Sequence, residues 1–107
     1  MIEDMKRKTL VRLVDDDPDV CASTSLLLQL DGWSVAVYSS AEEFLEADPH
    51  DEPGCLLLDI RMPGMSGVEL QRRLKEARIR IPIIFITGHT DVDTAVATLK
   101  MGALDFL

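Results

Sequence analysis

Apolar residues along this chain gather into short runs that alternate with stretches of helical spacing. Leu10–Val14, with Thr9 before it, is short and partly β-branched and reads as a strand. Asp17-Pro18 supplies a helix cap followed by proline at the first helical position. Val20, Thr24, Leu27 and Leu28 then recur at helical intervals, with Leu26 and Leu30 widening the stripe, and Asp31-Gly32 stops the helix. Trp33–Tyr38 predicts a second strand. Ser40 and Glu43 form a capping box, and Ala41, Phe44 and Leu45 give the short helix behind it a buried face. After a surface turn at His50–Gly54 comes Cys55–Asp59, the most apolar strand and the expected centre of a sheet. Ile60–Gly67 carries two glycines and a proline and reads as a loop. Leu70, Leu74 and Ala77 mark a third helix, with Arg72, Arg73, Lys75 and Glu76 on its wet side. Ile83–Thr87 predicts a fourth strand. Val92, Ala95, Val96 and Leu99 form the apolar face of a fourth helix, capped by Thr90 or Asp91 and ended by Gly102. Asp105–Leu107 starts a fifth strand.

Strands alternating with short helices imply βαβ units, right-handed crossovers and a parallel sheet covered on both faces. The expected fold is a doubly wound α/β sheet of five strands in the order 2-1-3-4-5, with residues 1–8 a leader and residues 9–107 one domain. In such a sheet the carboxyl ends of the strands share one edge, and ligands bind at the switch point there. Three apolar runs stop at oxygen-bearing side chains: Leu10–Val14 at Asp15-Asp16-Asp17, Cys55–Leu58 at Asp59, and Ile81–Ile86 (interrupted at Pro82) at Thr87. The order places the switch point between the strands that end at Asp15 and at Asp59.

Composition narrows the possibilities. The chain has 107 residues, 47% hydrophobic and 28% charged, which is globular and large enough for one core. A net charge of −8 argues against nucleic-acid binding by this segment. The basic run Lys6-Arg7-Lys8 belongs to the leader. Cys21 and Cys55 have no metal-ligand spacing; both read as small buried hydrophobes, with no disulfide between them. No signal-peptide core and no membrane-spanning run is present, so the expected location is cytoplasmic.

Carboxylates converging on one sheet edge repel one another by roughly 4 kcal/mol per pair at about 4 Å in a surface-like dielectric. A cation or shifted pKa values must offset this. Asp17, directly before Pro18, is accounted for by capping. Capping explains neither Asp15 nor Asp16. An adjacent acidic pair can offer one carboxylate directly to a cation and the other through water, which suits Mg²⁺. Asp59 follows three leucines that hold its backbone and precedes a loop whose carbonyls can complete a metal shell. A carboxylate so placed can act as a nucleophile toward a phosphoryl group, the charge on the phosphoryl oxygens being neutralised by the cation. Thr87, followed by Gly88, reads equally well as a strand former and as a hydroxyl donor to a phosphoryl oxygen. Set beside Asp59 and the acidic pair, the second reading is preferred.

Val14-Asp15-Asp16-Asp17-Pro18, Leu58 through Gly67 (LDIRMPGMSG), Ile86-Thr87-Gly88-His89 and Gly102-Ala103-Leu104-Asp105-Phe106 occur in this order. With them the chain resembles the receiver domain of bacterial two-component response regulators, most of all the FixJ branch and next the NtrC branch. The likeness spans roughly residues 9 to 107. It implies a flavodoxin-like fold with Asp59 as phosphoacceptor, served by a sensor histidine kinase. It also implies Mg²⁺ bound directly by Asp16, Asp59 and the Arg61 backbone carbonyl, with Asp15 acting mainly through water. Thr87 would be the switch hydroxyl and Phe106 the switch aromatic. The surface of the fourth helix and fifth strand would serve a homodimer or an output domain, here a DNA-binding one of LuxR type first and an ATPase-linked activator second. The family places a lysine soon after the switch aromatic, then a proline and a fifth helix. Because Leu107 precedes all three, the resemblance implies weakened phosphorylation and switching in this piece and an exposed apolar patch. Arg61 and His89 occupy positions that tune phosphoryl lifetime in the family. His50 receives no role, Met62 and Met65 are expected to pack the loop, and Trp33 to be partly buried.

Three rivals were weighed. A haloacid-dehalogenase-type phosphatase wants a second acid two residues after the nucleophile, where this chain has Arg61, and a cap domain that does not fit this length. A flavin or nucleotide binder wants a Gly-rich loop after the first strand, which is missing. A pseudo-receiver acting only as a protein-binding module has no need of the full Asp15, Asp16, Asp59 and Thr87 set.

Overall fold

The computed structural model describes residues 9–86 and the backbone of residues 105–106. Within them the chain runs β1 (Leu10–Val14), α1 (Pro18–Leu30), β2 (Ser34–Tyr38), α2 (Ala41–Ala47), β3 (Gly54–Asp59), α3 (Gly67–Glu76), β4 (Ile83–Ile86) and β5 (Asp105–Phe106). The strands form one sheet in the order β2-β1-β3-β4-β5, every described pairing parallel, as the alternation of patterns requires. The expected fourth helix lies outside the described residues.

Strand alternation divides the core into two layers. Val14, Leu56, Leu58, Ile83 and Phe85 face α2 and α3, where they meet Phe44, Leu70 and Leu74. Val11, Leu13 and Leu57 face the other way, onto Cys21 and the half-buried Leu28 and Trp33. Ile60 and Met62 are buried and Met65 packs against the same core, so the loop after β3 is pinned by its apolar residues as expected.

Helix starts follow the caps. The Asp17 carboxylate accepts from the N–H groups of Asp19 and Val20, with Pro18 beginning the helix. Ser40 Oγ accepts from Glu43 N–H at 3.0 Å, but the Glu43 carboxylate reaches back to the N–H and hydroxyl of Ser39, one residue earlier than the capping box expected. Ser66 caps α3 through Glu69 N–H at 3.2 Å. Gly32, at φ 97°, ends α1 in a conformation that favours glycine.

Four expectations need correction. Leu26, Leu27 and Leu30 are 56%, 68% and 76% exposed, so the stripe of α1 is not the leucine run. The face against the sheet is set by Cys21 and Leu28, seven residues apart, and the other leucines point away from it. Ala77 caps the end of α3 and is exposed. Cys55 is half-buried, while Cys21 is buried; both are free thiols. His50, expected to be a plain surface residue, is half-buried at φ 63°, with its N–H on Asp48 and its ring 5.0 Å from that of Phe44.

The largest surprise lies in the middle of β1. Arg12, between apolar neighbours, is completely buried. Its Nε donates to Asp48 Oδ2 at 2.9 Å and its Nη2 to the Glu52 carbonyl at 2.7 Å; Nη1 has no partner among the described residues. Asp48, only 4% exposed, also accepts from the Tyr38 hydroxyl at 2.8 Å and the His50 N–H at 2.8 Å. Burial alone pushes the Asp48 carboxyl up, but Tyr38, His50 and Arg12 together hold it below its ordinary value. Burial first, and the bond to Asp48 next, push the Tyr38 phenol up to about 12.

Removing Asp48 therefore strands a buried cation. Asp48→Ala is expected to cost about 3–5 kcal/mol of stability in urea denaturation. Because the folded pKa of Tyr38 lies above its unfolded value near 10, its contribution is complete below pH 10 and disappears as the pH rises toward 12. The alkaline unfolding midpoint of Tyr38→Phe should show a weaker pH dependence in that window.

Candidate functional site

β1 and β3 pair with Val14 opposite Leu58, so the next residues, Asp15 and Asp59, leave adjacent strands at the same carboxyl edge. The chain leaves β1 for β2 on one side and takes up β3 on the other. The two aspartates thus sit at the switch point of the sheet. Asp15, Asp16 and Asp59 each offer a carboxylate oxygen within 4.8 Å of the others'. Asp15 is 5% exposed, Asp59 half-buried and Asp16 open to solvent.

Asp15 and Asp59 are held by backbone. Asp15 is fixed at three points: its N–H donates to the Tyr38 carbonyl at 3.2 Å, its carbonyl accepts from Cys21 Sγ at 3.3 Å, and its Oδ1 accepts from Asp17 N–H at 3.0 Å. Asp59 Oδ1 accepts from Arg61 N–H at 3.2 Å. Behind Asp59 the loop closes on itself, Gly67 N–H donating to the Ile60 carbonyl at 2.8 Å. A Cβ on Gly67 would stand 2.2 Å from the Asp59 carbonyl oxygen and 2.9 Å from Ile60 Cα, so no other residue permits this closure without moving the strand end.

Electrostatics follow from this crowding. Burial, aided by the charges of Asp15 and Asp16, pushes the Asp59 carboxyl up to about 6, against the pull of the Arg61 N–H. Ionised Asp59 is thus held at a cost. Three hard oxygen donors spanning no more than 4.8 Å match the size of a Mg²⁺ shell, in which opposite oxygens lie about 4.2 Å apart. The donor set fits a hard divalent cation.

Of the residues expected to build the site, Asp15, Asp16 and Asp59 come together. Asp17 is a helix cap. Arg61 is exposed, with its amide on Asp59. Phe106 pairs with Phe85 through its backbone, its side chain lying outside the described residues, as do Thr87 and His89. Sequence reasoning missed Tyr38, Cys21 and Gly67. Tyr38 had only one signal, its place at the end of the predicted second strand; its register with Val14, which brings its carbonyl to Asp15, is a property of the fold.

A sequence profile described as the response regulator receiver domain matches residues 11–107. The chain belongs to that family. This receiver domain is 47% identical over 100 residues to the response regulator protein TodT of Pseudomonas putida, a match covering 94% of the chain and 44% of TodT. It is also 47% identical over 97 residues to the transcriptional regulatory protein FixJ of Rhizobium meliloti, covering 91% and 48%. The crystal structure of the FixJ N-terminal domain superposes with a TM-score of 0.85 at 46% identity, over 94% of this chain and 80% of that one. The response regulator StyR superposes with a TM-score of 0.87 at 44% identity, over 94% and 51%. The receiver domain spans about half the length of the curated relatives it matches. No helix among its described residues is long and apolar enough to cross a membrane.

A carboxyl group whose folded pKa exceeds its unfolded value near 3.8 destabilises the fold when ionised. That penalty is full above pH 6 and is relieved as the pH falls toward 4. In EDTA at pH 7.5, Asp59→Asn is expected to melt higher than the wild type, and the difference should vanish near pH 4. A melting series against pH checks this.

Proposed function

We propose that Asp59 is the phosphoacceptor of a two-component signalling domain, loaded from the phosphohistidine of a sensor kinase. The observation that carries this reading is the convergence of Asp15, Asp16 and Asp59 within 4.8 Å at the switch point. Asp16, Asp59 and the Arg61 carbonyl would hold Mg²⁺ directly, with Asp15 acting mainly through water, and the ion would neutralise charge on the phosphoryl oxygens.

The chain's own residues do the rest. Asp59 attacks phosphorus in line; an O–P bond forms as the P–N bond to the donor imidazole breaks, and the imidazole leaves with its electron pair. The Arg61 N–H orients the attacking carboxylate. The Gly67 closure keeps its backbone still. Thr87 is assigned the switch hydroxyl and Phe106 the switch aromatic on sequence motif alone. Both respond to the added charge and pass it to a surface used for dimerisation or an output domain. The names of TodT and FixJ, a response regulator and a transcriptional regulator, favour a DNA-binding output and a cytoplasmic setting.

Incubation with acetyl phosphate and Mg²⁺, followed by intact mass measurement, tests the assignment. The wild type should gain one phosphoryl group, and EDTA or Asp59→Asn should abolish the gain. Asp16→Asn should raise the Mg²⁺ concentration for half-maximal labelling at least about ten-fold. Labelling of Asp59→Asn equal to wild type would sink the reading.

A further inference from the structure

Among the described residues β2 is an edge strand, with β1 its neighbour on one side and no sheet partner on the other. Ends of edge strands are where ladders fray first. Yet the Tyr38 carbonyl, the last acceptor of β2, is the group that holds the Asp15 N–H. The tyrosine side chain secures that end. Its hydroxyl donates to Asp48 Oδ1 at 2.8 Å, and Asp48 Oδ2 accepts from Arg12 Nε at 2.9 Å. Arg12 lies on β1, three residues before Asp15, so the contacts close a ring: Arg12 to Asp48, Asp48 to Tyr38, Tyr38 to Asp15, and Asp15 back along β1. The Tyr38 ring also meets Phe44 edge-on, centroids 5.3 Å apart at 77°. Two members of this ring, Arg12 and Asp48, are 0% and 4% exposed, which makes their charge-assisted bond costly to break.

We propose that Tyr38 is a positioning residue for the acidic pocket, fixing Asp15 through its carbonyl while its hydroxyl is anchored on the buried Asp48–Arg12 pair. The inference rests on the reading of Asp15 as part of the Mg²⁺ site. Lifting the end of β2 would free the Asp15 N–H and loosen the strand tip that carries Asp15 and Asp16. The phenol hydroxyl resists this through its bond to Asp48 Oδ1, the carboxylate that also holds Arg12.

Tyr38→Phe removes the hydroxyl and keeps the ring on Phe44. In the full chain, its Mg²⁺ dissociation constant by calorimetry is expected to rise about three- to ten-fold, the scale of one lost hydrogen bond. The Asp15 amide should exchange faster with solvent in the metal-free protein. The labelling rate at saturating Mg²⁺ should stay within about two-fold of wild type, because the reacting carboxylate is untouched. Leu74→Ala, a core truncation in α3 that makes none of these hydrogen bonds, serves as the stability control. It should lower the melting temperature and leave Mg²⁺ affinity unchanged. A Tyr38→Phe protein that melts lower but binds Mg²⁺ as the wild type does overturns the proposal and leaves the phosphoacceptor reading standing. Equal loss of affinity in Leu74→Ala also overturns it. A wild type that never saturates with Mg²⁺ defeats both.

Discussion

Parallel pairing of β1 with β3 forces two acidic strand ends side by side, and the rest of the molecule is arranged around that repulsion. A free chain would let Asp15 and Asp59 move apart; here Val14 and Leu58 are buried partners in register and forbid it. Backbone amides take up part of the strain: Asp17 N–H on Asp15 and Arg61 N–H on Asp59 each place a donor beside a carboxylate. What the amides leave unbalanced adds to burial in raising the basicity of Asp59. The pocket is therefore an electrostatic deficit built by hydrophobic packing, which a hard cation can fill.

Two charge clusters in one small domain illustrate how differently burial treats ions. At Arg12 and Asp48 opposite signs meet, hydrogen bonds surround the carboxylate, and its ionised form is favoured despite burial. At Asp15, Asp16 and Asp59 burial and, beside it, like charges penalise the ionised form of Asp59. The first cluster is neutralised from within. The second remains responsive to any ligand that brings positive charge.

Most of the fold was legible because its information is local. Alternating short strands and capped helices specified the elements, and the rule that ligands gather at a switch point picked out Asp15, Asp16 and Asp59 before any coordinates. What escaped was non-local or degenerate. Arg12 and Asp48 are 36 residues apart, and no periodicity links a buried cation to the end of a helix on another layer. The run Leu26-Leu27-Leu28 with Leu30 is apolar around most of the helix, so spacing alone could not say which side meets the sheet. His50 opens the polar turn that runs to Pro53-Gly54, so the sequence marks it as surface; the half-buried ring against Phe44 depends on the fold closing around it.

That ambiguity in α1 has a mechanical outcome. A helix greasy on both flanks has little hydrophobic preference for one azimuth over another. Its roll angle is held by Cys21 and Leu28 against the sheet and, at the N-terminal end, by the Asp17 cap and the Cys21 Sγ contact with the Asp15 carbonyl. Torque applied to the outer leucine ridge would reach, through the Asp17 cap and the Cys21 thiol, the peptide unit from which the acidic pocket is hung.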